Sequence, residues 1–565
     1  MRRTGSLLCF AAAIGGLAIA QRPAASDSKP WWRNAVIYQI YPRSFADSNG
    51  DGVGDLNGIT NHLDYLQDLG VDGIWITPFF KSPQVDFGYD ISDYTDIDPQ
   101  YGTLADFDRL LAEAKKRNIR VLLDFVVNHT SDRHPWFVES RSSRTNAKAD
   151  WYVWRDPLPG RRPPTNWISI FGGSAWQFEP ARKQDYYHAF YKEQPDLNWR
   201  NPDVRKAMYD VMRFWMKRGV AGFRLDAVPS LFEDAQLRDE PVAKPGKSSY
   251  GDPILTRQYT DNLPECNDVL REMRKVADEF ADGVLVGEAY VPAVEDLAKL
   301  YGANGDELHL PMDTMFGFGA LSATRYRARL LEAETQLNGG TPLLVFNNHD
   351  NPRSVSRLGD GRNTAELARM LATLLLTPRA SVLLYYGEEL GMANDDPKRK
   401  EDVKDIIGIK GWPQEKGRDG ERKPMQWNAD TNAGFSTGAT TWLPVAPEYR
   451  TVNVAAETRE RGSVLNYYKA LLRLRKINAA LRDGDFTLVN GDDPNVLSFV
   501  RRAEDGPAAL IVLNCTGAPQ TVAIRSMADK QGAVLLSSFA AEGDAVNPAA
   551  IQMPAYGAMV AGFEK

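Results

Sequence analysis

Cysteine is nearly absent from this chain: three occur in 565 residues. Cys9 lies in an N-terminal apolar run, so only Cys266 and Cys515 remain, too far apart in sequence to form a disulfide framework. Two buried free thiols are expected. Histidine is also sparse, and none of the six forms the HExxH pair of a zinc hydrolase. There is no excess of basic charge, because 67 Lys and Arg face 74 Asp and Glu for a formal net charge of -7. A global field that would recruit nucleic acid or anionic lipid is thereby excluded, and a neutral partner is expected. Beyond residue 20 no apolar run is long enough to span a bilayer, and there is no internal repeat.

What is present begins with Arg2 and Arg3, followed by an apolar run from Leu7 to Ala20 that closes on Ala18-Ile19-Ala20 before Gln21. This is the pattern of an export signal, too short for a comfortable membrane helix. Residues 1–20 are set aside as a signal peptide, and a periplasmic or secreted location is expected.

The rest alternates short apolar runs with helical periodicity. Strand-length runs occur at 36–45, 73–80, 120–129, 222–228, 283–290, 343–350 and 381–389, with "MDTMF" at 312–316 as a weaker eighth. Residues 104–118, 201–219, 364–377 and 463–478 carry a helical repeat. Strand and helix alternating this often, with strands apolar on both faces, predict an α/β fold of the (β/α)8 TIM-barrel type. Residues 30–129 and 200–478 are assigned to the barrel. Residues 130–199, rich in Trp, Pro, Gly and Tyr, form an inserted subdomain after the third strand, too long for a simple connection. Residues 479–565 change to short alternating segments and are assigned to a C-terminal antiparallel β domain. The charged stretch 393–424 reads as a long loop over one face, either a solvated insertion or, on the barrel's loop side, a part of the mouth.

One strand is odd. "GFRLDAV" at 222–228 interrupts barrel core with Arg224 and Asp226, two positions apart and so on one face. Chemistry in such barrels sits at the C-terminal strand ends. Reading those ends gives three carboxylates, Asp226, Glu288 and Asp350, with His129 and His349 in the same layer. An ionised carboxylate facing a protonated one is what glycoside hydrolysis requires. Arg224 is expected to hold Asp226 ionised, and the apolar setting of "VLVGEAY" to raise Glu288. An internal ion pair between Arg224 and Asp226 is the plain structural alternative.

"DFVVNH", "GFRLDAV", "GEAY" and "FNNHD" resemble, in order, the four short regions of the α-amylase family, glycoside hydrolase family 13. "QPDLNW" (194–199) and "RKPMQW" (422–427) resemble segments of its α-glucosidase and oligo-1,6-glucosidase branch, which more commonly has Thr where this chain has Lys423. The resemblance implies Asp226 as nucleophile, Glu288 as general acid/base and Asp350 as a third acid on the sugar hydroxyls, with retention through a covalent glycosyl-enzyme intermediate. It places His129, Gln194, Arg224 and His349 among the substrate contacts, stacks Tyr89 on the terminal glucose, and pairs Asp86 with Arg422 as a clamp on the far hydroxyl. Asp90 and Asp93 are given structural roles.

The implied activity is an exo-acting α-glucosidase on small α-glucosides such as maltose. In related enzymes Val after the nucleophile accompanies α-1,6 cleavage; Ala227 stands there, which favours α-1,4 bonds. A glucosyltransferase or sugar isomerase using the same intermediate is the alternative, and a non-catalytic binding or transport subunit is disfavoured because all three acids are retained.

"DSNGDGVGDL" (47–56) spaces oxygen ligands at Asp47, Asn49, Asp51 and Asp55, with the Val53 carbonyl between them. An EF-hand is rejected, since the twelfth position is Gly58 and a strand precedes the loop. The resemblance implies a Ca2+ or Mg2+ ion held there for stability.

Overall fold

A computed structural model describes residues 30–564 except 338 and 505. The export signal read over residues 1–20 lies outside the described residues. Eight parallel strands close a barrel: β1 (Val36–Ile40), β2 (Gly73–Ile76), β3 (Arg120–Val126), β4 (Gly222–Asp226), β5 (Val284–Gly287), β6 (Leu310–Asp313), β7 (Leu343–Val345) and β8 (Ser381–Tyr385). Each strand pairs with its sequence neighbours, and β8 returns to β1. The weak eighth strand expected at 312–316 is β6, displaced toward the N-terminus; Thr314–Phe316 is a 3-10 turn instead. Strands also end earlier than their apolar runs, so His129, Glu288 and Asp350 stand on the loops just past β3, β5 and β7.

Register sets the height of the site residues. Across β3 and β4, Asp124 pairs with Arg224 and Val126 with Asp226, while Arg224 pairs with Val286 on β5. Gly222 opens β4 because a Cβ there would collide with the Val284 carbonyl. Helices at Leu104–Lys116, Pro202–Arg218, Thr364–Leu376 and Val464–Ile477 occupy the stretches with helical periodicity. Local chemistry sets their ends: Thr103 and Asp106 form a capping box on the first, and Asn201 and left-handed Gly219 bracket the second. The helix Thr364–Leu376 is buried nearly all round because it packs against both the Val464–Ile477 helix and the C-terminal sheet.

The insertion after β3 contains a helix, Pro135–Ser142, and a small antiparallel sheet of Trp154–Arg155, Gln184–Tyr187 and Trp176–Glu179. It is built on aromatics, with Trp167 stacked on Trp176 at 5.7 Å. A second excursion, after β4, escaped the sequence reading: a ribbon of Val242–Lys247 and Pro253–Leu255. The chain around it leans on the first insertion through Trp167 Nε1 donating to the Arg238 carbonyl at 2.8 Å and the Gly173 amide donating to Asp252 at 2.8 Å.

A six-stranded antiparallel sheet forms the C-terminal domain. Its central strands, Val496–Arg502, Ala508–Asn514 and Ala558–Phe563, bury both faces. Leu497, Phe499, Ile511 and Leu513 join the barrel core, while Val496, Val500, Leu510 and Val512 make a separate one. Cys266 and Cys515 are both buried and unpaired. Among the described residues no helix is long and apolar enough to cross a membrane.

Candidate active site

The C-terminal end of the barrel opens into a cavity of about 630 Å³ with Asp226, Glu288 and Asp350 in its wall. Arg224, fully enclosed beneath it, answers the oddity of its strand. Its Nη1 lies 2.5 Å from Asp226 Oδ1 and 3.1 Å from Asp124 Oδ1, and its Nη2 lies 2.7 Å from Glu288 Oε1. One planar guanidinium therefore spans both carboxyls beside the cavity, backed by a third from β3. Glu288 is further oriented by the Ala227 amide, which donates to its Oε2 at 3.2 Å. Ala227 adopts a left-handed φ of 49°, a conformation that costs a non-glycine residue energy and turns the chain sharply off β4.

Arg224 is expected from the sequence to hold Asp226 ionised, but its charge is divided among Asp226, Glu288 and Asp124. Burial pushes Asp226 and Glu288 each up to about 7, opposed by Arg224. Burial also raises Asp124, to about 6, against the same arginine. A single cation divided among three carboxyls cannot keep all of them ionised in a low dielectric. Asp350 goes the other way. Burial acts to raise it but is outweighed by His349, Arg418, Arg422 and Arg224, and its carboxyl is held below the usual range. Since burial keeps His349 itself neutral, the arginines carry that effect at neutral pH.

The far end of the cavity closes on an arginine, but not the expected one. Arg418 donates from Nη2 to Asp86 Oδ1 at 2.8 Å, from Nη1 to Asp350 Oδ1 at 2.9 Å and from Nε to Asp405 at 2.8 Å. Arg422, paired with Asp86 in the sequence reading, instead donates to the His349 carbonyl at 2.7 Å and to Asp350 at 3.0 Å. It braces Asp350 from behind. Both arginines come from the charged stretch read as either a solvated insertion or a part of the barrel mouth. Residues 398–402 are exposed, but Asp405, Arg418, Asp419, Glu421, Arg422 and Lys423 are buried against the barrel mouth. Lys423 is held by Asp395 at 3.1 Å.

Hydrogen bonds assign the histidine tautomers. Asn128 uses its amide hydrogens on Asp196 and the Ser230 carbonyl, so its Oδ1 accepts from His129 Nδ1 at 2.9 Å. Gln194 is oriented by the Tyr191 amide donating to its Oε1, so its Nε2 donates to His129 Nε2 at 3.1 Å and to Asp86 at 3.3 Å. Burial drives His129 down to about 3, hence neutral. Tyr89 lines the cavity with its ring parallel to His349 at 5.4 Å, and its hydroxyl donates to Asp124 at 2.9 Å. Its oxygen lies 2.6 Å from His349 Nε2, whose Nδ1 is 2.8 Å from Gln39 Nε2. Asp90 accepts from the amides of Val85 and Asp86, both at 3.0 Å, and fixes the loop that presents Asp86 and Tyr89.

The structure thus brings Asp86, Tyr89, His129, Gln194, Asp226, Glu288 and Asp350 to the wall of one cavity and places Arg224, His349 and Arg422 behind that wall, against Asp226, Tyr89 and Asp350. It adds Asp124, Asp405 and Arg418, which the sequence reading missed. Asp124 had a signal: it is a lone carboxylate in the apolar strand "RVLLDFV", the same kind of interruption as its register partner Arg224. Phe171 and Phe190 from the insertion complete the wall.

The loop 47–55 lies apart. Asp47 accepts from the amides of Asn49, Gly50 and Gly52 and from Ser436, Asn49 from the Asp51 amide, Asp51 from the Val53 amide, and Asp55 from Ser48 and Gly58. Among the described residues no three His, Cys, Asp or Glu side chains gather as a metal cluster. The donors are nonetheless all oxygens, the chemistry that suits a hard divalent cation.

Barrel, insertion, strand-end carboxylates and C-terminal sheet define a class, and residues 39–484 match the alpha amylase catalytic domain. The chain belongs to the α-amylase family and is a glycoside hydrolase. It is 46% identical over 485 residues to a probable alpha-glucosidase of Rhizobium meliloti (strain 1021), covering 84% of this chain and 87% of that protein. It is 40% identical to an oligo-1,6-glucosidase of Parageobacillus thermoglucosidasius, covering 86% and 90%. Among solved structures, the alpha-glucosyl transfer enzyme XgtA superimposes with a TM-score of 0.87 at 41% identity, covering 95% of this chain and 100% of that one.

Proposed function

We propose that this hydrolase is an exo-acting, retaining α-glucosidase that releases terminal α-linked glucose from short glucosides such as maltose. The observation that supports this most directly is the single Arg224 guanidinium shared by Asp226 and Glu288. Two carboxyls held by one guanidinium suit the separation of about 5 Å used for direct displacement, rather than the wider gap that admits water. Asp226, ionised, attacks the anomeric carbon; the glycosidic bond breaks as Glu288 gives its proton to the leaving oxygen. Glu288 then takes a proton from water, whose oxygen attacks the same carbon and frees Asp226. Asp350, kept ionised by its arginines, accepts from sugar hydroxyls, while neutral His129 stands in the cavity wall and neutral His349 supports Tyr89 from behind it, neither adding charge. The Arg418–Asp86 pair ends the cavity behind one sugar, which favours action at a chain end.

The small Ala227 beside Glu288 leaves room that favours α-1,4 over α-1,6 bonds. Initial rates on maltose and isomaltose test this, with maltose expected to be faster, and Ala227→Val should shift the ratio toward isomaltose. Proton NMR of fresh product should show α-glucose first; β-glucose first would overturn the retaining reading. Likeness to an alpha-glucosyl transfer enzyme supports a second reading, transfer of the glucosyl unit to an acceptor hydroxyl. Product analysis at high maltose, with and without an added alcohol, separates the two.

We further propose that Asp47, Asn49, Asp51, Asp55 and the Val53 carbonyl hold a structural Ca2+ or Mg2+. Such an ion would tie the loop after β1 and take no part in the chemistry.

A further inference from the structure

Trp442 lies beyond the "RKPMQW" segment, outside every motif read from the sequence, and does not line the cavity. Half-buried, it is fixed at both ends: its amide donates to the Gly52 carbonyl at 3.0 Å, and its indole Nε1 donates to Ser44 Oγ at 3.0 Å. An indole nitrogen only donates, so the Ser44 hydroxyl keeps its own proton for the Arg422 carbonyl, 2.5 Å away. Arg422 in turn braces Asp350 at 3.0 Å. Hydrogen bonds thus lead from Trp442 to one wall of the closed end of the cavity.

The indole ring supplies a second line, to the opposite wall. Its centroid lies 6.0 Å from that of Tyr41; Tyr41 stacks on His349 at 5.9 Å, and His349 on Tyr89 at 5.4 Å with the planes 2° apart. Four rings therefore run from the loop after β1 to Tyr89 in the cavity wall. The Arg422 guanidinium lies over the Tyr41 ring at 5.1 Å and joins the two lines. Phe87, the neighbour of Asp86, meets Trp442 edge-on at 5.4 Å, and the Arg43 guanidinium covers both of these rings at 4.9 and 4.7 Å. Asp86 and Tyr89 stand on the loop after β2, Asp350 follows β7, and Arg422 comes from the mouth segment. No barrel strand sets the spacing among them, but Trp442 packs behind all three. A close-packed interior transmits a displacement rather than absorbing it.

We propose that Trp442 is a positioning residue for the terminal-glucose site, setting the spacing between the loop that carries Asp86 and Tyr89 and the Arg422–Asp350 pair. This rests on the glucosidase reading. Trp442 itself touches neither the sugar nor the leaving group. Its loss therefore weakens every ligand that places a glucose in the closed end by the same factor, whatever stands on the other side of the scissile bond.

The test reads glucose affinity directly, by product inhibition and calorimetry, beside kcat and KM on maltose and p-nitrophenyl α-glucoside. Trp442→Phe keeps a ring but deletes the indole N–H, and should weaken glucose about 2- to 5-fold. Trp442→Ala removes the ring as well and should weaken it about 10- to 30-fold, with KM rising more than kcat falls and the maltose-to-aryl ratio of kcat/KM within about 2-fold of wild type. Ser44→Ala cuts the hydrogen-bonded line at its other end. Combined with Trp442→Phe it should cost little more than either change alone, a check that does not depend on the alanine variant of Trp442 folding. Fully additive losses, or a lower Tm with glucose affinity intact, would overturn the proposal and leave Trp442 a packing residue. A shifted maltose-to-aryl ratio would overturn it too, by moving the effect to the leaving group. If wild-type enzyme neither binds glucose nor releases it from the aryl glucoside, the glucosidase reading falls and this role with it; wild-type binding with unaffected variants removes this role alone.

Discussion

Arg418 reaches Asp86 at 2.8 Å across 332 residues of sequence, and the same guanidinium holds Asp350 and Asp405. Removing it leaves three buried carboxyls near one another with Arg422 beside them and Arg224 acting on Asp350 alone. Arg418→Ala should therefore lose about 3–5 kcal/mol of stability, the typical result of stranding a buried charge, together with nearly all activity. Asp86→Ala is milder, because Arg418 retains two partners; it should raise KM and lower kcat together. Denaturant melts alongside kinetics check both, and unchanged kinetics in Asp86→Ala would remove the clamp.

The shared arginine sets the pH response. With Asp226 and Glu288 each pushed up to about 7 by burial, the proposed mechanism requires the form that carries one proton between them. The pH profile of kcat/KM should be a bell centred near neutrality, falling on the acid side as the nucleophile protonates and on the alkaline side as the acid loses its proton. Asp226→Asn should cut turnover by about 10⁴-fold or more while the thermal melt stays within a few degrees of wild type. Glu288→Gln should remove the alkaline limb from the residual activity on α-glucosyl fluoride, which needs no protonation to leave.

Glu457 provides a stability test away from the site. Burial raises its carboxyl from 4.5 to about 8, although it accepts the Leu465 amide at 2.9 Å near the start of the Val464–Ile477 helix. Between those two pH values the folded chain binds a proton that the unfolded chain has released. Its stabilisation is therefore complete below 4.5 and lost as pH rises through about 8. Glu457→Gln, which mimics the protonated form, should melt roughly 1–3 °C above wild type at high pH and match it at low pH. The same offset at both would show that packing, not titration, is at work.

Added Ca2+ or Mg2+ should raise Tm, and a chelator should lower it, without altering the pH profile. Asp51→Ala should abolish the increment, since its carboxylate is otherwise committed only to the Val53 amide. Asp47→Ala is expected to lower Tm with or without metal, because Asp47 also organises the loop through four hydrogen bonds. A melt indifferent to both cations and chelator would refute the metal proposal.

Much of this is legible in the sequence alone. The barrel could be read because each strand is a local apolar run and each long helix a local periodicity, and "GFRLDAV" announced its site by putting two charges where core belongs. Excursions such as Val242–Lys247 with Pro253–Leu255 were not legible, since that ribbon is exposed, carries Pro and Gly, and lacks the alternation of a buried strand. The charged stretch left two readings open, a solvated insertion or a part of the barrel mouth, because charge ordinarily marks solvent; the second holds for Arg418, Asp405 and Arg422, which are buried by pairing with other charges.

The sequence by itself determined the barrel, its two added domains and the identity of the three carboxylates, because strand length, register and side-chain alternation are local and strand ends converge wherever a barrel closes. Tertiary structure alone decided which of two arginines, four residues apart, meets Asp86, how Arg224 divides its charge among Asp124, Asp226 and Glu288, and that Trp442 meets Ser44 and Tyr41. Those outcomes depend on where long loops return in space, and burial then sets each protonation state. No periodicity along the chain encodes either.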